Sequence, residues 1–143
     1  MHEIREYCLQ KEIASINEYL KDFKDSWART RCTIMLNGWT DQRNRAIINF
    51  LIFCPQGTMF LKSIDASDKV NNATLLFEIL DEIIQEVGVQ NVVQVITNNT
   101  SNYVLAGKML ESRYKTISWN PCAAHCIDLM LEDIGKVEWV KTL

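Results

Sequence analysis

The spacing of the apolar residues changes at residue 31, and this change limits the folds that the chain can adopt. Upstream, apolar residues recur at helical spacing, which predicts an N-terminal helical segment over residues 1–28. Downstream, apolar residues form short runs separated by polar turns, at residues 32–36, 46–54 and 58–64. Such runs in succession predict strands in an antiparallel meander, with Gly38 marking the turn after the first strand.

The second half of the chain alternates between helix and strand patterns. An apolar stripe over residues 76–87 predicts a helix that ends at Gly88. The next run, at residues 91–97, predicts a strand that is apolar enough for burial on both faces. The remaining patterns predict a helix ending near residue 112, a strand at 116–119 and a helix at 122–134.

Strand–helix–strand crossovers join parallel strands through right-handed connections, so the simplest arrangement is one mixed sheet. The meander lies on one side of the first strand, and the fourth and fifth strands lie on the other. This order, 3-2-1-4-5, is the ribonuclease H-like order. The sequence therefore predicts an α/β fold of that kind, with a five-stranded mixed sheet flanked by helices and an extra N-terminal helix.

Length, charge and cysteine content narrow the class of protein. The 143 residues suffice for one core, which predicts a single domain over residues 1–143 with its α/β core at 29–143. The net charge of -3 is negative, like that of the phosphate backbone of a nucleic acid, so weak DNA binding or none is expected. Five irregularly spaced cysteines indicate reduced thiols and an intracellular protein. No secretory leader or membrane-spanning run is recognisable, so no membrane association is expected.

In open α/β sheets, sites form beyond the carboxyl ends of the strands at the point where the strand order reverses. Here those ends carry Asn37 and Asn98. Three stretches at or near these ends form recognisable motifs: Asn37-Gly-Trp39-Thr40, Thr97-Asn98-Asn99-Thr-Ser-Asn102 and Pro121-Cys122-Ala-Ala-His125. Through these stretches the sequence resembles the hAT superfamily of DNA transposases, in the form common in plant genomes.

The resemblance implies a transposase core in which two Asp and a distant Glu hold two Mg²⁺ or Mn²⁺ ions for DNA cleavage and strand transfer. It also implies a nuclear location. The motif residues that it marks in this chain are Trp39, Thr40, Asn99, Asn102, Cys122 and His125.

The sequence departs from this pattern at both expected aspartates. Asn37 and Asn98 stand where the resemblance implies the first and the second metal-binding Asp. An amide brings no charge, and a unit charge pair about 4 Å apart is worth roughly 4 kcal/mol at an effective dielectric of 20. We therefore expect no metal, no other cofactor and no intact catalytic residue. The family's third acid has no equivalent in this sequence.

Other acids are candidates for replacing the missing carboxylates. Asp41 lies four residues beyond Asn37, about 13 Å along an extended chain. Asp65 and Asp68 follow the predicted third strand, at the far edge of the sheet. A role as solvated turn residues is expected for all of them.

Cys122, His125 and Cys126 have the spacing of three zinc ligands on one helical face. Packing and hydrogen bonding at a helix start is the simpler interpretation, because no further Cys or His pair has ligand spacing. A Cys–His nucleophile would also need an orienting group, for which Asp128 is the candidate.

Three functions remain open. The first is a degenerate transposase core, a domesticated pseudoenzyme that acts through protein partners or self-association. The second is an active, metal-dependent DNA transposase or nuclease fragment. The third is a small zinc- or thiol-using protein centred on Cys122, His125 and Cys126. The Asn residues at both acid positions favour the first, which is not an enzyme.

Overall fold

The computed structural model describes residues 2–67 and 72–141, with the backbone alone at residues 2–5, 17, 139 and 141. Its elements are α1 (His2–Thr30), β1 (Cys32–Thr40), β2 (Ala46–Cys54), β3 (Gly57–Asp65), α2 (Ala73–Val87), β4 (Val92–Thr97), α3 (Ser101–Arg113), β5 (Ser118–Pro121), α4 (Ala123–Gly135) and α5 (Glu138–Lys141). A short 3₁₀ helix, Val89–Asn91, joins α2 to β4. None of the described helices has the length and apolar character needed to cross a membrane.

The strands form one mixed sheet in the order β3-β2-β1-β4-β5. β1 pairs antiparallel with β2, and β2 pairs antiparallel with β3, as the meander predicts. β4 lies parallel to β1 on its other side, and β5 lies parallel to β4. The predicted α/β fold with its strand order 3-2-1-4-5 is confirmed and is consistent with a ribonuclease H-like architecture.

Strand β1 is longer than the sequence pattern predicts. It continues through Gly38 to Thr40, because β2 pairs with it as far as Ala46. The prediction that Gly38 ends the strand was therefore wrong, and the turn lies at residues 41–45. Asp41 closes this turn, since its carboxylate accepts hydrogen bonds from two backbone N–H groups within it. β5 also begins later than predicted, at residue 118.

One face of the sheet, which we call the covered face, packs against α2 and α3. Alternate residues of the central strands point to it and are fully buried, among them Ile34, Phe50 and Val95. The helices meet them with apolar side chains that are at most 3% exposed, including Leu76, Leu80, Ile83, Ile84, Tyr103 and Leu110. This layer forms the hydrophobic core.

The opposite face, which we call the open face, carries half-buried and exposed residues. Phe53 and Phe60 are 48% and 56% exposed on β2 and β3. On β4, Val93 is exposed, and Gln94 and Ile96 are half-buried. The prediction that this strand is buried on both faces was wrong, because α2 and α3 pack together on the same side of the sheet.

Two helices contribute little to the core. The predicted N-terminal helix is present in α1, but among its described side chains only Ser26 and Trp27, near its end, are buried, whereas Ile16 and Tyr19 are exposed. In α4 no residue is buried. Four of its apolar residues recur at helical spacing and are each at least 50% exposed: Ile127, Met130, Leu131 and Ile134. α4 thus presents an apolar stripe on the surface.

Candidate functional site

A cavity opens where the sheet divides at the carboxyl end of β4. β1 pairs with β4 only as far as Met35, but it continues along β2 to Thr40. The chain leaves β4 and turns into α3, and the notch between them has a volume of about 290 Å³. We call it the edge cavity. Its walls are residues 38–40 of β1, residues 46–48 of β2, and Asn98, Thr100, Asn102 and Tyr103.

Of the two positions where carboxylates are expected, only Asn98 lines the edge cavity. Its amide nitrogen Nδ2 lies 3.8 Å from the position that a Cβ on Gly38 would occupy. Asn37 precedes Gly38 in β1, and its side chain therefore points to the open face. There it is exposed and lies opposite Asn49 of β2.

Both amides therefore lie at the carboxyl edge of the sheet, as expected, but they do not face each other. The reason is that β4 ends at Thr97, and the turn into α3 carries Asn98 over the covered face. Among the other motif residues, Trp39, Thr40 and Asn102 contribute to the cavity walls, whereas Asn99 is exposed and does not.

Tyr103 belongs to the site although it was not among the predicted residues. Its side chain lies on the cavity wall and is 3% exposed, and its hydroxyl has no hydrogen-bond partner among the described residues. The hydroxyl lies 3.2 Å from the position of a Cβ on Gly38, so the glycine leaves room for it. Burial raises the pKa of Tyr103 to about 12, and the hydroxyl therefore stays protonated at neutral pH. The sequence contained one indication that Tyr103 is buried, because Tyr103, Ala106 and Leu110 have the spacing of residues on one face of a helix.

Helix α3 begins at the cavity with a first turn that no side chain caps. Its N-cap residue is Thr100, which makes no side-chain capping bond. The N–H groups of residues 101–103 precede the first intrahelical hydrogen bond, from Val104 N–H to the carbonyl of Thr100 at 3.0 Å. α2 differs, because the side chain of Asn72 accepts hydrogen bonds from its first turn. The start of α3 thus presents backbone donors at the cavity wall.

Hydrogen bonds at the end of β4 hold the cavity in shape. Thr97 is fully buried, and its hydroxyl donates to the carbonyl of Asn98 at 2.9 Å. The same hydroxyl oxygen accepts a hydrogen bond from the indole N–H of Trp119 at 3.0 Å. The backbone N–H of Trp119 donates to the carboxylate of Glu111 in α3 at 3.0 Å. These contacts join β4, β5 and α3 next to the cavity.

The neighbouring acids are engaged in turns. Hydrogen bonds from the backbone and then the side chain of Arg45 lower the pKa of Asp41. Hydrogen bonds from the hydroxyl and backbone N–H of Ser67 lower the pKa of Asp65. Neither acid lines the edge cavity, and their contacts agree with the predicted turn role. Asp68 lies outside the described residues.

The Cys–His stretch lies at the start of α4. The backbone N–H of Cys122 donates to the carbonyl of Thr97 at 2.7 Å, which attaches α4 to the end of β4. His125 and Cys126 are half-buried, and Nε2 of His125 is buried without a partner. Within the part of the chain that the structure describes, no three His, Cys, Asp or Glu side chains are grouped so that they could hold a metal ion. Cys122 is the N-cap residue of α4, and its side chain makes no capping hydrogen bond.

The fold and the edge cavity define an α/β domain of ribonuclease H-like topology whose carboxyl-edge site is built from neutral groups. The sequence profile of the family described as Domain of unknown function (DUF659) matches residues 1–143. The chain therefore belongs to this family, a domain found in hAT-type transposase-like plant proteins. No curated protein matched the chain.

Proposed function

We propose that this domain is a catalytically silent, transposase-derived module that acts by binding and does not cut DNA. The observation that carries the proposal is the composition of the edge cavity. Among the described residues that form its walls there is no acidic side chain, and Asn98 is the one of them at an expected carboxylate position.

The argument rests on charge. Phosphoryl transfer with two metal ions needs carboxylates that neutralise the ions and fix them roughly 3.5–4 Å apart. Asn98 offers a neutral amide, and Asn37 lies on the other face of the sheet. The start of α3 adds the positive end of a helix dipole, which disfavours a cation at the same place. A divalent ion in this cavity would lose its hydration without gaining a countercharge.

The other two functions have less support from the described side chains. Asp41 and Asp65 already accept several hydrogen bonds in their turns and lie outside the cavity walls. Cys122, His125 and Cys126 do not form a group that could hold a metal ion. A metal-dependent nuclease and a zinc protein would each need a rearrangement of these residues.

A binding role through protein partners or self-association is supported by the surface of α4. Its apolar stripe of Ile127, Met130, Leu131 and Ile134 is exposed along its whole length, and such patches commonly mark interaction surfaces. A nuclear location, as the hAT resemblance implies, is part of this proposal.

The proposal is tested by incubating the purified chain with Mg²⁺ or Mn²⁺ and hairpin or flanked duplex DNA. We expect no cleavage, no heat of binding when Mn²⁺ is titrated in, and no thermal stabilisation. If a metal bound, its presence at a hundred times its Kd would add about 2.7 kcal/mol to the free energy of unfolding. A stabilisation of this size is easily measured, so a failure to stabilise the chain is informative.

Asp41→Asn and Asp65→Asn are the matched variants, because each removes one charge and keeps the shape of the side chain. Metal-dependent cleavage by the unmodified chain that disappears in either variant would contradict the proposal. The double variant Asn37→Asp with Asn98→Asp gives a further control. Its carboxylates would lie on opposite faces, so we expect Mn²⁺ binding to remain weak.

A further inference from the structure

We propose that the edge cavity binds a phosphate-type oxyanion. Two independent features of the same cavity carry this inference. One is the uncapped start of α3, a helix of 13 residues. The other is the hydroxyl of Tyr103, which is buried on the cavity wall without a partner.

The backbone of α3 supplies the first set of donors. Unpaired N–H groups and the helix dipole together place about half a positive charge at a helix start, which makes it a natural site for phosphate. At α2 the side chain of Asn72 occupies this position, whereas at α3 no side chain does. The N–H groups of residues 101–103 are thus available to an oxyanion in the cavity.

Side chains supply the second set of donors. The Tyr103 hydroxyl is protonated at neutral pH, and a buried hydroxyl without a partner destabilises the fold. An oxyanion would give it an acceptor. Asn98 and Asn102 each carry an amide with two N–H donors, and both line the cavity. These groups donate hydrogen bonds without bringing negative charge.

None of the described wall residues carries a negative charge that would oppose an anion. The first turn of α3 contains no acidic residue, and Glu111, further along the helix, is bonded to the backbone of Trp119. Asp41, which follows the wall residue Thr40, forms an ion pair with Arg45 at 2.7 Å. Compared with the carboxylate that the hAT resemblance implies at position 98, the amide of Asn98 therefore differs in two ways. It does not supply a charged ligand for a cation, and it does not repel an anion.

The size of the cavity bears on the ligand. Its volume of about 290 Å³ is close to the lower end of ligand pockets in proteins, roughly 300–1,000 Å³. It can hold a phosphate group with a small organic part attached. The shared chemistry is a phosphate, either the free ion or the terminal group of a phosphomonoester.

The experiment is a titration of inorganic phosphate into the ¹⁵N-labelled chain of 143 residues at low ionic strength, followed by amide chemical shifts. We expect saturable shifts centred on residues 98–103. A second titration with ribose 5-phosphate separates the two sources. Equal affinities identify the free ion, and tighter binding of the ester identifies a phosphomonoester. Absence of saturable shifts with both probes would overturn the inference.

Two variants of equal charge provide the sharpest control. Asn98→Asp places a carboxylate in the cavity, and because acids stabilise helix starts, this variant is expected to stay folded. Its affinity for phosphate should fall by at least about a hundredfold. Asn37→Asp adds the same charge at the same edge but on the open face, and its affinity should change by no more than about twofold because solvent and salt screen it.

Tyr103→Phe removes the hydroxyl alone, and we expect about tenfold weaker phosphate binding without loss of thermal stability. Equal weakening by Asn98→Asp and Asn37→Asp would overturn the site in favour of a general charge effect. Unchanged affinity in Tyr103→Phe, or shifts centred on Arg43 and Arg45, would overturn it as well. These readouts do not depend on whether the domain cuts DNA.

Discussion

Gly38 and Asn37 are adjacent in β1, yet they lie on opposite faces of the sheet. Gly38 lies beneath the Tyr103 hydroxyl and the Asn98 amide, whereas Asn37 lies opposite Asn49 on the open face. Because strand side chains alternate, a shift of one residue moves a group from one environment to the other. At the residue scale the site is therefore governed by side-chain direction as much as by residue type.

Asp41 allows a test at the same scale, through pH. Its pKa is lowered by hydrogen bonds from Arg45, first from the backbone and then from the side chain. A carboxyl with a lowered pKa in the folded state stabilises the fold above its unfolded pKa of about 3.9. That contribution is lost as the pH falls through the folded pKa.

Asp41→Asn should therefore reduce the free energy of unfolding at pH 7, and the difference from the unmodified chain should shrink towards pH 3. Urea unfolding at pH 7, 5 and 3 measures this difference. A gap that is constant over this range, or larger at pH 3, would show that the carboxylate does not stabilise the turn through its charge.

At the scale of elements, the contact between α3 and β5 depends on a glycine. A Cβ on Gly107 would lie 2.3 Å from the ring of Trp119, too close for any side chain. Trp119 in turn donates its indole N–H to Thr97 at the end of β4. The glycine thus lets the helix approach the sheet closely enough to form one side of the edge cavity.

Gly107→Ala should destabilise the fold by about 2 kcal/mol or more, because the ring must move and overpacking costs roughly 1–3 kcal/mol. This loss exceeds the gain of about 1 kcal/mol that alanine normally brings inside a helix. Gly135→Ala is the matched control, since no described atom beyond its chain neighbours and its own helix backbone lies within 4 Å of the added Cβ, and it should be neutral or slightly stabilising. Equal effects of the two variants in urea unfolding would contradict this packing.

At the scale of the whole molecule, the reactivity of two buried cysteines tests whether the core is formed as described. Cys32 and Cys54 are buried on neighbouring strands, at 2% and 1% exposure. Burial, followed by the neighbouring Cys54, raises the pKa of Cys32 to about 11. The thiolate is the reactive form, so this thiol is expected to be inert in the folded chain. Cys8 on α1 is exposed.

Alkylation with iodoacetamide at pH 8 should therefore modify Cys8 first and should reach Cys32 and Cys54 only when urea unfolds the chain. Mass spectrometry of a digest sampled over time gives the rate at each site. Cys8→Ser serves as a control for the fast phase. Modification of Cys32 in the native chain at the rate of Cys8 would contradict the described core.

The local pattern of the sequence determined the order of the elements and, through the rules for crossovers, the strand order of the sheet. The bounds of β2, Ala46–Cys54, follow from its apolar run, because that strand is central and pairs along its full length. The sequence also located both amide positions at the carboxyl edge, since parallel strands end at the same edge.

Tertiary structure decided what apolar spacing does not encode. Gly38 reads as a turn in isolation, but pairing with β2 keeps it in a strand. β4 is apolar, but the burial of its two faces depends on where the helices pack. Because α2 and α3 pack on the same face of the sheet, the other face of β4 is not fully buried. Whether Asn37 and Asn98 meet depends on where β4 ends and how the chain turns into α3. The buried hydroxyl of Tyr103 joins the site only through that same turn, because side-chain direction at a strand end is set by the neighbouring elements.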